Sequence, residues 1–185
     1  MLEIDLKQLE RYITDGIDSR RSIAVREIIE VSKVILDRLN SGGKLITFGN
    51  GGSVADAQHF AAELSGRFMR ERRPFPAIAL STNTSSLTAI GNDYDYLRQI
   101  GGTCIRNDHV VGISTSGNSP NAINGVRKDE EIGSYTLALT GMDGGKLRDE
   151  VDHCIRVKSN ITSVIQEVHI TIIHMICYSF DAMLE

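Results

Sequence analysis

Cysteine is scarce in this chain of 185 residues, and the three present (Cys104, Cys154, Cys177) are odd in number and show no CxxC spacing. They supply no disulfide framework. Nor does the chain open on a signal peptide, so a reducing, cytoplasmic setting with free thiols is expected. No apolar run is long enough to cross a bilayer, which argues against a membrane role. Basic residues are not in excess: 20 Lys and Arg stand against 24 Asp and Glu, a formal charge of -4 that argues against a nucleic-acid-binding face. The run Arg70-Glu-Arg-Arg73 is the local exception and reads as a solvated loop. There is no internal repeat, linker or low-complexity tract, so one α/β domain is expected over 1–185, with a helical N-terminal arm at 1–41 and a sheet with flanking helices at 42–185.

What is present alternates. Val25, Ile28, Ile29, Ile35 and Leu39 recur at helical spacing through the first forty residues, which read as helical until Ser41-Gly-Gly43 ends the run. Such an amphipathic arm needs a partner surface. Candidate strands follow at 44–48, 77–81, 109–113, 134–140 and 153–157, with helix-compatible segments between most of them. That order predicts a doubly wound parallel five-stranded sheet with helices on both faces, and ligands beyond the carboxyl ends of its strands. A long C-terminal helix, Ile161 to Leu184, is too apolar to lie free in water. Between 97 and 108 the pattern fails, because Gly101-Gly102 interrupts the helix expected there.

Two strand ends carry turns suited to a ligand. Val110-Val-Gly-Ile113 runs into Ser114-Thr-Ser-Gly-Asn-Ser119, with Ser119 as N-cap and Pro120 as first helical residue. Unpaired N–H groups and the positive end of the helix dipole favour an anion there. Ser114, Thr115, Ser116 and Ser119 could each donate a hydroxyl to phosphate without adding charge. The alternative is an ordinary turn whose hydroxyls satisfy nearby backbone. Lys44-Leu-Ile-Thr-Phe48 likewise feeds Gly49-Asn-Gly-Gly-Ser53, whose glycines allow positive φ and close approach to a ligand. Ser53 followed by Asp56 reads as a capping box that opens the next helix. The loop has neither the dinucleotide fingerprint nor the P-loop lysine, so no nucleotide cofactor is expected.

Acid, base and metal chemistry concentrates on two helices. His59 and Glu63, four apart, share one face after the glycine loop. Gln166, His169 and His174 fall on adjoining rows of the last helix. His169 reads as a core or interface histidine, whereas His174, embedded in Ile172-Ile-His-Met-Ile176, needs an acceptor or a metal nearby. Glu63 has a plain alternative in a salt bridge to Arg67 one turn on. If the helices meet, a carboxylate, two imidazoles and an amide could do acid/base work or hold a divalent ion.

Together, Gly49-Asn-Gly-Gly-Ser53, the run Asp56 to Phe68, Gly91-Asn-Asp93, Gly112 to Ser119, Leu139 to Lys146 and Ile165-Gln-Glu-Val-His-Ile170 with His174 resemble the phosphoheptose isomerase family of sugar isomerase (SIS) domains, in order along nearly the whole chain. The resemblance implies a cytoplasmic homotetramer with shared active sites that converts sedoheptulose 7-phosphate to glycero-manno-heptose 7-phosphate. It places phosphate binding on Ser114, Thr115, Ser116 and Ser119, and sugar contacts on Asn50, Gly51, Gly52, Ser53, Glu63, Asn92, Asp93 and Gln166. It makes Glu63 and His174 the acid/base pair, and His59, Glu63, Gln166 and His174 the ligands of one zinc per subunit. The last two assignments overlap, since a zinc-bound residue does not freely shuttle protons, and acid/base roles are given precedence. The chain departs from the family between Asn92 and Gly112, which is a few residues short. Rival implications are a non-enzymatic relative that binds the replication initiator, and an isomerase for another sugar phosphate.

Overall fold

A computed structural model describes residues 5–90 and 95–184. The expected arm is two helices rather than one run, α1 (Leu6–Arg21) and α2 (Val25–Asn40). Ser22 causes the break. Its backbone N–H closes onto Asp18 and Ser19, and its hydroxyl donates to the Ser19 carbonyl at 2.7 Å, offering the chain an alternative to continued helix.

Five strands follow in the expected places: β1 (Leu45–Gly49), β2 (Ala77–Ala79), β3 (His109–Ser114), β4 (Tyr135–Gly141) and β5 (His153–Val157). Their order is β2-β1-β3-β4-β5 and every pairing is parallel. β2 stops two residues early because Leu80–Thr82 winds into a 3₁₀ turn, held by the Thr82 hydroxyl on the Ala79 carbonyl. The helices between are α3 (Gly52–Ser65), α4 (Thr84–Ile90), α5 (Asp95–Thr103), α6 (Pro120–Ile132) and α7 (Thr162–Met183). Gly101 and Gly102 do not break α5, contrary to the expectation. They fall in its last turn, where fewer residues beyond depend on their helical conformation.

The strands alternate between two cores. Leu45, Val111, Ile113, Leu137 and Leu139 face α2, α3 and α7, with Phe60, Ile35 and Phe180 among the fully buried members. Ile46, Phe48, Val110 and Ala138 face α5 and α6, with Tyr96, Ile100 and Val126. Burial on both sides is the physical reason the strands read as unbroken apolar runs. α2 supplies the arm's partner surface, laying Ile28, Val31, Ile35 and Leu39 into the first core alongside Ile172 and Ile176 of α7. α1 instead leaves Leu6, Leu9, Ile13 and Ile17 exposed.

Because the chain leaves β1 toward β2 and returns to the other side of β1 as β3, the connections diverge between β1 and β3. A crevice at the carboxyl ends of those two strands is the expected ligand position in such a sheet.

Candidate active site

The two loops at that crevice are tied together. Asn50, at the end of β1, and Asn121, in the first turn of α6, exchange side-chain amide hydrogen bonds of 2.8 and 2.7 Å. Gly51 takes φ +54 and serves as N-cap of α3, which starts at Gly52 without a side-chain cap. The capping box expected at Ser53 and Asp56 is therefore not formed. Ser53 is buried inside the first turn, against Gly49, and Asp56 faces inward. Burial pushes the Asp56 carboxyl up to about 6, with His59 opposing, and its Oδ2 has no hydrogen-bond partner among the described residues.

The serine loop is built by its own backbone and by the turn after β4. Ser114 and Ser119 Oγ atoms lie 3.0 Å apart, closing the loop across its mouth. Gly117 takes φ +63, and a Cβ there would stand 1.8 Å from the Gly144 carbonyl oxygen, so the close approach of the two turns requires glycine. The Gly117 carbonyl accepts from Leu147 N–H, and Asn118 Oδ1 accepts from Lys146 N–H at 3.2 Å. Ser116 is exposed and Thr115 half-buried, while α6 begins at Pro120 as expected. The Ser119 hydroxyl meets Ser114 rather than a helix N–H. Within the first turn, Asn121 Oδ1 accepts from the Ala122 N–H at 2.9 Å. The result is a neutral cradle of hydroxyls at a helix start, suited to a phosphate group.

The two helices carrying acid/base groups do meet. His59 Nε2 lies 3.0 Å from His174 Nε2 and 3.1 Å from Glu63 Oε1. Arg67, the alternative partner for Glu63, pairs instead with Glu71. Phe68 flanks the cluster, its ring centroid 5.6 Å from that of His174. The carboxylate is 21% exposed and the His59 side chain 43%, so a ligand can reach them. Two imidazole nitrogens and a carboxylate oxygen converging within 4.8 Å of one another could share a proton or hold a metal ion. Ligand atoms around tetrahedral zinc, at about 2.0–2.1 Å from the ion, stand about 3.3 Å apart, close to the separations seen here.

Gln166 extends the cluster toward the glycine loop. A Cβ on Gly52 would stand 2.5 Å from its Nε2, so the amide lies directly over the start of α3. His169, one row over, is buried with Nε2 3.1 Å from the Thr140 carbonyl, the core position expected for it. Burial holds its pKa down at about 4. Asn92 and Asp93 lie outside the described residues.

Sequence reasoning missed the bridge made by Asn121 and the burial of Asp56. Asn121 follows the proline that starts α6 and could have been read as a first-turn residue able to face the glycine loop, whereas nothing local marks Asp56 as buried.

The SIS domain model matches residues 11–141. A probable phosphoheptose isomerase of Thermoplasma acidophilum is 51% identical over 176 residues, 93% of this chain and 97% of that protein. The solved phosphoheptose isomerase of Neisseria gonorrhoeae superposes with a TM-score of 0.88 at 38% identity, covering 95% of this chain and 98% of its own. That of Francisella tularensis gives 0.89 at 32%, covering 97% and 100%. With the fold, the switch-point crevice and these relatives in agreement, the chain belongs to the SIS domain family, among its phosphoheptose isomerases.

Proposed function

We propose that the protein interconverts sedoheptulose 7-phosphate and D-glycero-D-manno-heptose 7-phosphate, the first step toward surface heptoses. The observation that carries this reading is the meeting of His59, Glu63 and His174 across α3 and α7, next to loops suited to a sugar phosphate. The initiator-binding alternative has no need of such a cluster. The phosphate sits on Ser114, Thr115, Ser116 and Ser119, at the start of α6. Asn50, Gly51, Gly52, Ser53, Asn92, Asp93 and Gln166 hold the sugar hydroxyls.

Aldose–ketose isomerisation through an enediol requires a base at the carbon-bound proton beside the carbonyl and an acid that moves a proton between the two oxygens. Glu63 takes the carbon-bound proton and His174 serves the oxygens, each contributing about 10²–10⁴-fold. His59, within hydrogen-bond reach of both, holds the pair in register. His59, Glu63 and His174, with Gln166, fit one zinc ion per subunit, which when bound would polarise the substrate oxygens.

The whole chain acts as one domain and assembles as a homotetramer with shared sites. The apolar stripe of Leu6, Leu9, Ile13 and Ile17, and a groove between α2 and α7 lined by Val25, Ile29, Met175 and Tyr178, support that assembly. No helix among the described residues is long and apolar enough to cross a membrane, and all three cysteines are free, which supports a cytoplasmic location. The test is turnover of a panel of ketose and aldose phosphates of five, six and seven carbons, followed by NMR. Preference for sedoheptulose 7-phosphate is expected; turnover of none of them overturns the reading.

A further inference from the structure

Arg72 corrects the expectation of a solvated basic loop at 70–73, because its side chain turns inward and is only 6% exposed. Nε donates to Asp181 Oδ1 at 3.1 Å, Nη1 to the Leu64 carbonyl at 3.1 Å and the Arg73 carbonyl at 3.2 Å, and Nη2 to the Glu63 carbonyl at 2.8 Å. The other Asp181 oxygen accepts from the Met69 and Arg70 N–H groups at 2.9 and 3.1 Å. The guanidinium carbon lies 5.0 Å from the centroid of the Phe75 ring. Both buried charges are thus fully matched.

Placement gives the pair its meaning. Glu63 and Leu64 belong to the last turn of α3, where carbonyls have no partner within the helix. Asp181 lies seven residues, two turns, beyond His174, with buried Cys177 between them on the same face of α7. The fork therefore fastens the end of α3 that carries Glu63 to the face of α7 that carries His174. Apolar packing between the two helices is non-directional and tolerates a small slide. Three hydrogen bonds from one rigid plane, two to α3 carbonyls and one to Asp181 of α7, do not. A buried ion pair is often no more stabilising than a well-packed apolar pair of the same size, so stability alone is a weak reason for this one.

We propose that Arg72 and Asp181 are positioning residues that set the register of Glu63 and His59 against His174. The proposal rests on the isomerase reading of that cluster. Arg72 touches none of the reacting atoms and acts through the main chain of Glu63.

The test compares Arg72→Lys, which keeps the charge but loses the fork, with Asp181→Asn, which keeps the shape but loses the charge, and with both together. Crystal structures of the variants should show the His59–His174 separation lengthened from 3.0 Å by about 1 Å, a displacement able to cost about 10²-fold in rate. In assays on folded protein, kcat should fall about 10–100-fold with KM for sedoheptulose 7-phosphate within about twofold. The double variant should lose no more than the worse single one, because both changes break one contact. Free guanidinium should partly restore kcat to Arg72→Ala, which a residue serving stability alone would not show. The proposal is overturned if the folded variants keep the 3.0 Å separation and full kcat, if their losses simply add, or if neither single variant folds. Should the unmutated protein fail to turn over, the isomerase reading falls, and the crystallographic separation alone decides whether the pair sets the register.

Discussion

Asn50, just after β1, and Asn121, in the first turn of α6, are joined by two reciprocal amide hydrogen bonds, 2.8 and 2.7 Å long, which tie the glycine loop to the helix that follows the serine loop. Asn50 is exposed and Asn121 half-buried, so the bridge contributes little to global stability. Its loss should appear in binding. At about 1 kcal/mol net for each of the two bonds, Asn121→Ala should raise KM for the sugar phosphate roughly 30-fold with kcat within about threefold. Steady-state kinetics beside a thermal melt check this, and an unchanged KM would show that the loops hold their places without the bridge.

Gly117 and Gly42 both take positive φ, but only Gly117 is crowded. A Cβ there would meet the Gly144 carbonyl oxygen at 1.8 Å, whereas at Gly42 nothing lies within 4 Å. Gly117→Ala should push the serine loop from the turn after β4 and weaken competitive inhibition by inorganic phosphate at least tenfold. Gly42→Ala should show only backbone strain of about 1 kcal/mol and unaltered phosphate inhibition. Equal behaviour of the two variants would remove the argument for close packing.

Burial sets opposing pH dependences. It holds His109 at about 3 and His169 at about 4, and pushes Asp56 up to about 6. As pH falls from about 6.5 toward 4, the unfolded chain takes up protons on both imidazoles that the folded chain refuses, so stability declines. Asp56 acts in the opposite sense. Its folded pKa exceeds the unfolded one, so stability from its protonated form is present at low pH and lost as pH rises through about 6. Urea unfolding at pH 6.5, 5.5 and 4.5 should therefore show a flatter acid decline for His169→Gln and a steeper one for Asp56→Asn, each by up to about 1.4 kcal/mol per pH unit. Slopes equal to that of the unmutated protein in both variants would contradict these burial effects.

Ile13 and Ile17 are 61% and 42% exposed on one face of α1. Placing glutamate at both should break the proposed tetramer, seen by light scattering as a fall from about four times the 20.3 kDa chain mass to a smaller species. A stable monomer of the unmutated protein at micromolar concentration would contradict the assembly.

The parts of the fold that were legible follow from periodicity. Strands buried on both faces, such as Leu45–Gly49 and His109–Ser114, announce themselves as short apolar runs, and Ser119-Pro120 marks the start of α6. The cluster was legible as two helical spacings, His59 to Glu63 and Gln166 to His174, but their meeting is a tertiary fact that no local pattern contains. The misses were local competitions. Ser22 ends α1 through its own hydroxyl, and Gly51, free to take φ +54, starts α3 before Ser53 can cap it. Arg72 was misread because a charge run looks solvated until its partner is known, and that partner, Asp181, lies 109 residues away.

The most direct measurement is the conversion of sedoheptulose 7-phosphate to the aldoheptose phosphate, followed by NMR, for the unmutated protein beside Glu63→Gln and His174→Ala. Conversion by the unmutated protein, with turnover reduced about 10²–10⁴-fold in each variant and phosphate inhibition intact, is the predicted result. Glu63→Gln retaining close to full turnover would contradict the proton transfer assigned to the cluster that α3 and α7 bring together.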